Sequence, residues 1–292
     1  ATVYEVNVRQ YTKAGTFNAF STHLDRLKSL GVKVLWFMPI QPISVKNRKG
    51  TLGSYYSIAD YKGVNPEFGT AADFKTLVEK AHGMGFKIVL DWVANHSGWD
   101  NPWVTEHPDW YTKDKAGNIT WPPGTDWTDV ADLNYSSQAM RAEMIASMKY
   151  WVDTYDIDGF RCDVAGGVPN DFWNTATQTL TAIKPLWMLA ESMPGEVTIG
   201  TNFTSAYNWP LKDMFNGMKS GNTDSFSVSG EISRIASEYP KGNYPMNFIT
   251  NHDENSWSGT EYTRLGGVPQ AKAGAVISFT LPGAPLLYTG QE

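Results

Sequence analysis

The run FKIVLDWVANH, residues 86–96, decides the fold. Residues 86–90 are almost wholly apolar, as a strand is when both of its faces are covered. The run ends on an acid, Asp91, and then on Asn95 and His96. Upstream, Thr70 and Asp73 form a capping-box pair. Phe74, Leu77, Val78 and Ala81 follow at helical spacing, and Gly83 and Gly85 close that helix. A helix, a buried strand and a carboxylate at the strand's end make one unit of an α/β protein. GFRCDVA (159–165), MLAES (188–192) and FITNHD (248–253) close in the same way. Several strands that aim acids at one rim predict a parallel barrel, whose chemistry sits at the C-terminal ends of its strands.

Working outward, the sequence predicts strands at 3–8, 32–38, 86–90, 157–162, 187–190, 205–209, 246–250 and 285–288. A first helix carries Phe17, Phe20, Leu24 and Leu27 on one face. Others are predicted over 136–155, 171–184, 211–219, 226–239 and 269–279, with Met140, Met144, Met148 and Trp151 as a core stripe. Eight strands with intervening helices fit a (β/α)₈ TIM barrel built from 1–96 and 135–292. No GxGxxG opens a helix, so a dinucleotide fold lacks its fingerprint. Residues 97–134 are rich in Trp, Pro, Asp, Thr and Gly without a period. A loop of that length in a compact domain is usually functional, and it reads as an excursion on the rim after the third strand. No eighth helix follows the last strand. The expectation is a barrel truncated there, with apolar surface uncovered on its first and seventh helices.

Composition narrows the function. Of 292 residues, 41% are hydrophobic, enough for a full core, and no apolar run approaches a membrane span. The formal charge is -6 and there is no Lys/Arg run, which argues against nucleic acid or an anionic membrane as partner. The 12 Trp residues supply core, and also flat faces on which sugar C–H groups pack. The single cysteine, Cys162, excludes an internal disulfide and a cysteine zinc cluster. It alternates with Arg161 and Asp163, so it faces the other side of its strand as a packing residue. HxH, HExxH and GxSxG are all missing.

Asp163, Glu191 and Asp253 end the fourth, fifth and seventh strands. Glycoside hydrolysis needs two carboxyl groups flanking the scissile bond, one ionised and one protonated. Asp163 suits the ionised role, because Arg161 on the same strand face lowers its pKa. Glu191 suits the protonated role, because Met188, Leu189 and Ala190 desolvate it. Asp253 would hold sugar hydroxyls and favour an oxocarbenium-like transition state. If Asp163 attacks, the two carboxyls should stand about 5–5.5 Å apart and the anomeric configuration should be retained. Any one of these acids alone reads better as a helix cap or an arginine partner. The set does not, because His96 and His252 each follow a strand-end asparagine, Asn95 and Asn251. His23, His82 and His107 have no such setting.

These motifs, in this order, resemble those of the α-amylase family of glycoside hydrolases over nearly the whole chain. DWVANH, GFRCDVA, the Glu of MLAES and FITNHD are similar to the family's first four conserved regions. The resemblance implies Asp163 as nucleophile, Glu191 as general acid/base and Asp253 as transition-state stabiliser. It implies that Arg161 orients Asp163, that His96 and His252 bind the sugar bonded to Asp163, and that Asp91 braces the pocket. YSIADY (56–61) is similar to a segment whose first Tyr, here Tyr56, stacks under that sugar. ADLN (131–134) is similar to the fifth region and PLLYTGQE (285–292) to the eighth strand, so 97–134 would be a short domain B. Many members hold a structural calcium between the Asn of the first region, the Asp of the fifth and a carbonyl four residues past the nucleophile. Asn95 and Asp132 match, while Gly167 stands where the family has His. Calcium binding and simple bonding to the loop backbone are both open for this pair, and no organic cofactor is implied. The family also carries an eighth helix and a C-terminal β domain.

The activity so implied is retaining, endo-acting hydrolysis of α-1,4 bonds in starch or maltodextrin, with an α-glucan or malto-oligosaccharide as partner. Cyclomaltodextrinase, neopullulanase, α-1,6- or exo-acting glucosidase and transglycosylase are the alternatives within the family. Val164 occurs beside the nucleophile in some α-1,6-acting relatives. A non-catalytic carbohydrate-binding barrel is the alternative outside catalysis. Such proteins typically lack at least one of the three acids, and all three are here.

Overall fold

A computed structural model describes residues 1–292. Eight strands run parallel: β1 (Val3–Val6), β2 (Val34–Phe37), β3 (Lys87–Val93), β4 (Gly159–Asp163), β5 (Trp187–Ala190), β6 (Ser205–Ala206), β7 (Met246–Asn247) and β8 (Ala284–Tyr288). They pair in chain order from β1 to β6, and β8 joins β1 to β7. A single parallel bridge from Tyr207 to Met246 brings the β6 end to β7 and closes the ring. The chain is a (β/α)₈ barrel.

Strand alternation sorts side chains into two cores. Tyr4, Leu35, Phe37, Ile88, Leu90, Phe160, Cys162 and Met188 point outward. They meet Phe17, Phe20, Leu24, Leu27, Phe74, Leu77 and the Met140–Met144–Met148–Trp151 stripe of the surrounding helices. Val3, Val34, Trp36, Val89, Leu189, Tyr207, Met246, Phe248 and Leu286 fill the barrel interior. Two residues further along each inward series stand Glu5, Asp91 and Glu191, after Val3, Val89 and Leu189. Register places Asp91 opposite Arg161. The sheet's own periodicity therefore carries polar residues to the C-terminal rim.

Several boundaries differ from those predicted, each for a local reason. β1 stops at Val6 because Asn7 caps a one-turn helix (Val8–Tyr11), its side chain accepting from Gln10 N. The first helix is two pieces, Phe17–Ser21 and Leu24–Ser29. At the break, the Ser21 and Thr22 hydroxyls bond back to the Asn18 and Ala19 carbonyls, at 3.1 and 2.8 Å. β6 ends early because Asn208 caps the helix Trp209–Asn216. β7 stops at Asn247, and after residues 248–250 Asn251 caps His252–Trp257. Asp253 thus sits in the first turn of a short helix rather than at a strand's end. No helix separates β5 from β6.

Residues 97–134 are structured. His96–Gly98 pairs antiparallel with Val130–Asp132, with His96 opposite Asp132, and a short helix spans Trp103–Glu106. On the helix before β8 (Val268–Thr280), Val268, Val276 and Phe279 are exposed, as is Leu30 near the first helices. No helix is long and apolar enough to cross a membrane.

Candidate active site

Arg161 organises the rim. Its side chain is wholly buried. Nη1 donates to Asp91 Oδ1 at 3.0 Å and to Asp163 Oδ1 at 2.8 Å, and Nε donates to the Tyr207 hydroxyl at 3.1 Å. Nη2 lies 2.8 Å from Glu191 Oε1, an ion pair whose N–H is not aligned on the oxygen. One guanidinium from β4 thus ties the acids of β3, β4 and β5. The planar fork of arginine suits this, since it presents fixed donors in several directions.

Asp163 and Glu191 meet the same guanidinium, Asp163 Oδ1 2.8 Å from Nη1 and Glu191 Oε1 2.8 Å from Nη2. Glu191 Oε2 also accepts the Val164 N–H at 2.8 Å. Val164 has φ 43° and ψ 44°, the left-handed region, which is costly for a β-branched residue. This strained turn swings the chain away directly after Asp163 and aims an N–H at Glu191. Burial pushes the Glu191 carboxyl up to about 7; Arg161 opposes this, and Asp163 and Asp253 reinforce it. Asp163 is a correction to the sequence reading. Burial raises its pKa above the usual carboxylate range, and the pull of Arg161 only moderates that rise. Desolvation outweighs the guanidinium because both groups are buried. Asp91 is likewise raised by burial, to about 6, against Arg161 and His252.

A cleft of about 480 Å³ opens above this layer, lined by Tyr56, His96, Asp163, Glu191, His252 and Asp253, among others. The three acids therefore face one pocket. Asp91 and Arg161 do not line it; they lie beneath it, where they hold Tyr56 and Asp163.

The family model for the alpha amylase catalytic domain matches residues 7–292. The chain belongs to the α-amylase family. It is 31% identical over 306 residues to α-amylase MalA from Haloarcula japonica, an alignment covering 99% of this chain and 43% of MalA. The chain thus spans less than half the length of that relative. Among solved structures, it resembles an α-amylase from Lactobacillus plantarum, with a TM-score of 0.84 and 35% identity, covering 100% of this chain and 71% of that one. It also resembles the maltogenic α-amylase AmyB from Thermotoga neapolitana, with a TM-score of 0.86 and 34% identity, covering 99% and 67%.

The two histidines of this α-amylase-family site are both buried, yet their surroundings push them in opposite directions. Burial lowers His96 to about 4. Burial also opposes charge on His252, but Glu5 outweighs it and raises the ring to about 9. His252 stacks on Tyr56, with ring centroids 5.4 Å apart and planes at 20°. Its Nε2 lies 2.7 Å from the Tyr56 hydroxyl and 3.3 Å from Asp253 Oδ2.

Sequence reasoning missed Glu5, Trp36 and Tyr207. Trp36 Nε1 donates to Asp91 Oδ2 at 3.2 Å. The one available signal was Glu5 itself, an acid inside the apolar run VYEVNV. The cleft walls were also missed. Trp127 comes from the excursion and Trp257, 85% exposed, from the helix after β7. Lys49 reaches across to the Asp126 carbonyl, with its ammonium 3.8 Å from Asp126 Oδ2.

Asn95 and Asp132 stand together at the foot of the excursion. Asn95 bonds through its nitrogen to His96 Nδ1 at 3.3 Å. A Cβ on Gly167 would come within 2.9 Å of Asn95 Oδ1, so glycine lets the Asn95 oxygen approach that backbone. Burial raises the Asp132 carboxyl, with only Thr112 offsetting it. Oxygen donors short of partners are a set that suits a hard cation.

Proposed function

We propose that this barrel is the catalytic unit of a retaining hydrolase acting on α-1,4-glucosidic bonds of starch or maltodextrin. Glu191 gives its proton to the glycosidic oxygen as the bond to the anomeric carbon breaks. Asp163 attacks that carbon and forms a glycosyl-enzyme ester. Glu191, now a carboxylate, takes a proton from water, which displaces Asp163 and restores the acid. The two inversions give net retention. Asp253 holds sugar hydroxyls beside the developing oxocarbenium ion. Tyr56, His96 and His252 seat the same sugar, while Arg161 and Asp91 fix the nucleophile from below. The α-glucan class is supported by the names of MalA and AmyB. A polyanionic partner does not fit an acid-lined cleft on a chain of net charge -6.

One observation carries this reading: Glu191, pushed up to about 7 by burial, and Asp163 are held by one guanidinium at the wall of a single cleft. That sets a proton donor and a nucleophile on the same pocket, as retaining hydrolysis requires. The test is Asp163→Asn on soluble starch. Turnover should drop by at least about a thousandfold while oligosaccharide binding persists. Unchanged turnover would mean that another group attacks. A β-anomer as the first product, read by proton NMR, would rule out retention.

We propose further that Asn95, Asp132 and the Gly167 carbonyl hold a structural calcium. Bound there, the ion would supply no chemistry at the reacting atoms; it would tie the excursion to the end of β3.

A further inference from the structure

We propose that Glu5 is a positioning residue that holds His252 as a doubly protonated imidazolium at the floor of the cleft. Its kinetic consequence rests on the hydrolase reading above; its protonation test does not.

The argument is one of donors and acceptors. Glu5 is wholly buried in β1. Its Oε1 is hydrogen-bonded to His252 Nδ1, and its Oε2 has no partner. On the far side of the ring, Nε2 meets the Tyr56 oxygen. That hydroxyl has one proton and donates it to Asp91 Oδ2 at 3.1 Å. Asp91 also accepts from Trp36 and Arg161, and above its own value of about 6 it is a carboxylate with no proton to give back. Tyr56 must therefore accept from His252, and Nε2 carries a hydrogen. Nδ1 faces a carboxylate and carries the other.

The charges facing the ring agree. Glu5 comes from β1, Asp91 from β3 and Asp253 from the ring's own helix, while Arg161 of β4 opposes. Tyr56, Trp36 and, beside Glu5, Tyr288 are neutral neighbours. An imidazolium here stands 3.3 Å from Asp253 Oδ2 and offers a fixed, charged N–H at the cleft floor. Glu5 touches neither sugar nor reacting atoms; it acts through His252.

Nitrogen-15 NMR of histidine-labelled native protein tests this, with the His252 signals assigned by their loss in His252→Gln. At about pH 7.5, above the ordinary histidine value of about 6.5, both His252 nitrogens should be protonated. A neutral His252 ring at that pH, with the proton on Glu5, overturns the proposal without any variant at Glu5. In Glu5→Gln the ring should titrate at or below its ordinary value. The kcat/KM of that variant relative to native should then fall at least about tenfold between about pH 5.5 and about pH 7.5. Glu191 titrates in both proteins and largely cancels in the ratio. A pH-independent ratio would assign Glu5 a packing role only and also overturns the proposal. If the native chain hydrolyses no glucan, the hydrolase reading fails, and the NMR result still decides Glu5.

Discussion

Glu191 shows what a carboxyl raised by burial costs the fold. Its folded-state pKa of about 7 lies well above the free value of about 4.3. Between those values the folded chain binds more protons than the unfolded one. Stability is therefore lost as pH rises through that window, and it stays lost above it. The shift corresponds to on the order of 3 kcal/mol. Glu191→Gln keeps the shape and removes the charge. It should raise the melting temperature at about pH 8 and leave it unchanged at about pH 4, where both side chains are neutral. Thermal unfolding of the two proteins at both values measures it; an equal shift at both would trace the effect to packing. Val164 belongs to the same trade, with backbone strain accepted next to Asp163 in return for one N–H on Glu191.

Strand parity is the device that turns sequence into a site. Gly159, Arg161 and Asp163 share one face of β4, while Phe160 and Cys162 share the other. Gly159 pairs with Trp187, and a Cβ there would stand 2.0 Å from the Trp187 carbonyl oxygen. Backbone cannot yield as a side-chain tip can. Gly159→Ala should cost about 3 kcal/mol in urea unfolding. It should also lower turnover, because Arg161 and Asp163 lie on the same displaced strand. A variant as stable as native would mean that β4 and β5 can separate freely. Strand existence was legible because apolar runs ended in acids. Strand ends were not: Asn7 and Asn208 each stop a strand early by capping the next helix, and asparagine fits loop and cap equally well. Glu5 was passed over because one acid in an apolar run says nothing of the imidazole it meets 247 residues away.

At the scale of the molecule, the ring is uneven. β1 to β5 pair over three or more residues, while β6 and β7 contribute two each and meet through one bridge. The excursion over 97–134 was legible only as an interruption, because distant groups hold it. Asp100 accepts from Ser44, Val45 and Lys46, and the Ser57 hydroxyl donates to the Asp129 carbonyl at 2.9 Å. No local pattern records such pairs. These clamps tie the excursion to the loop after β2, which leaves Asn95 and Asp132 as its junction with β3. If calcium sits at that junction, it binds the folded chain and not the unfolded one. At a hundredfold excess over Kd it would add about 2.7 kcal/mol. Chelation should then lower the melting temperature by about 5 °C and speed proteolysis within 97–134 ahead of the barrel. Asp132→Asn should start near the chelated value and respond little to added chelator or calcium. The pair of measurements separates an ion from a plain loop brace. A brace predicts that Asp132→Asn loses stability while native protein ignores the chelator, and that outcome would remove calcium from the account of this fold.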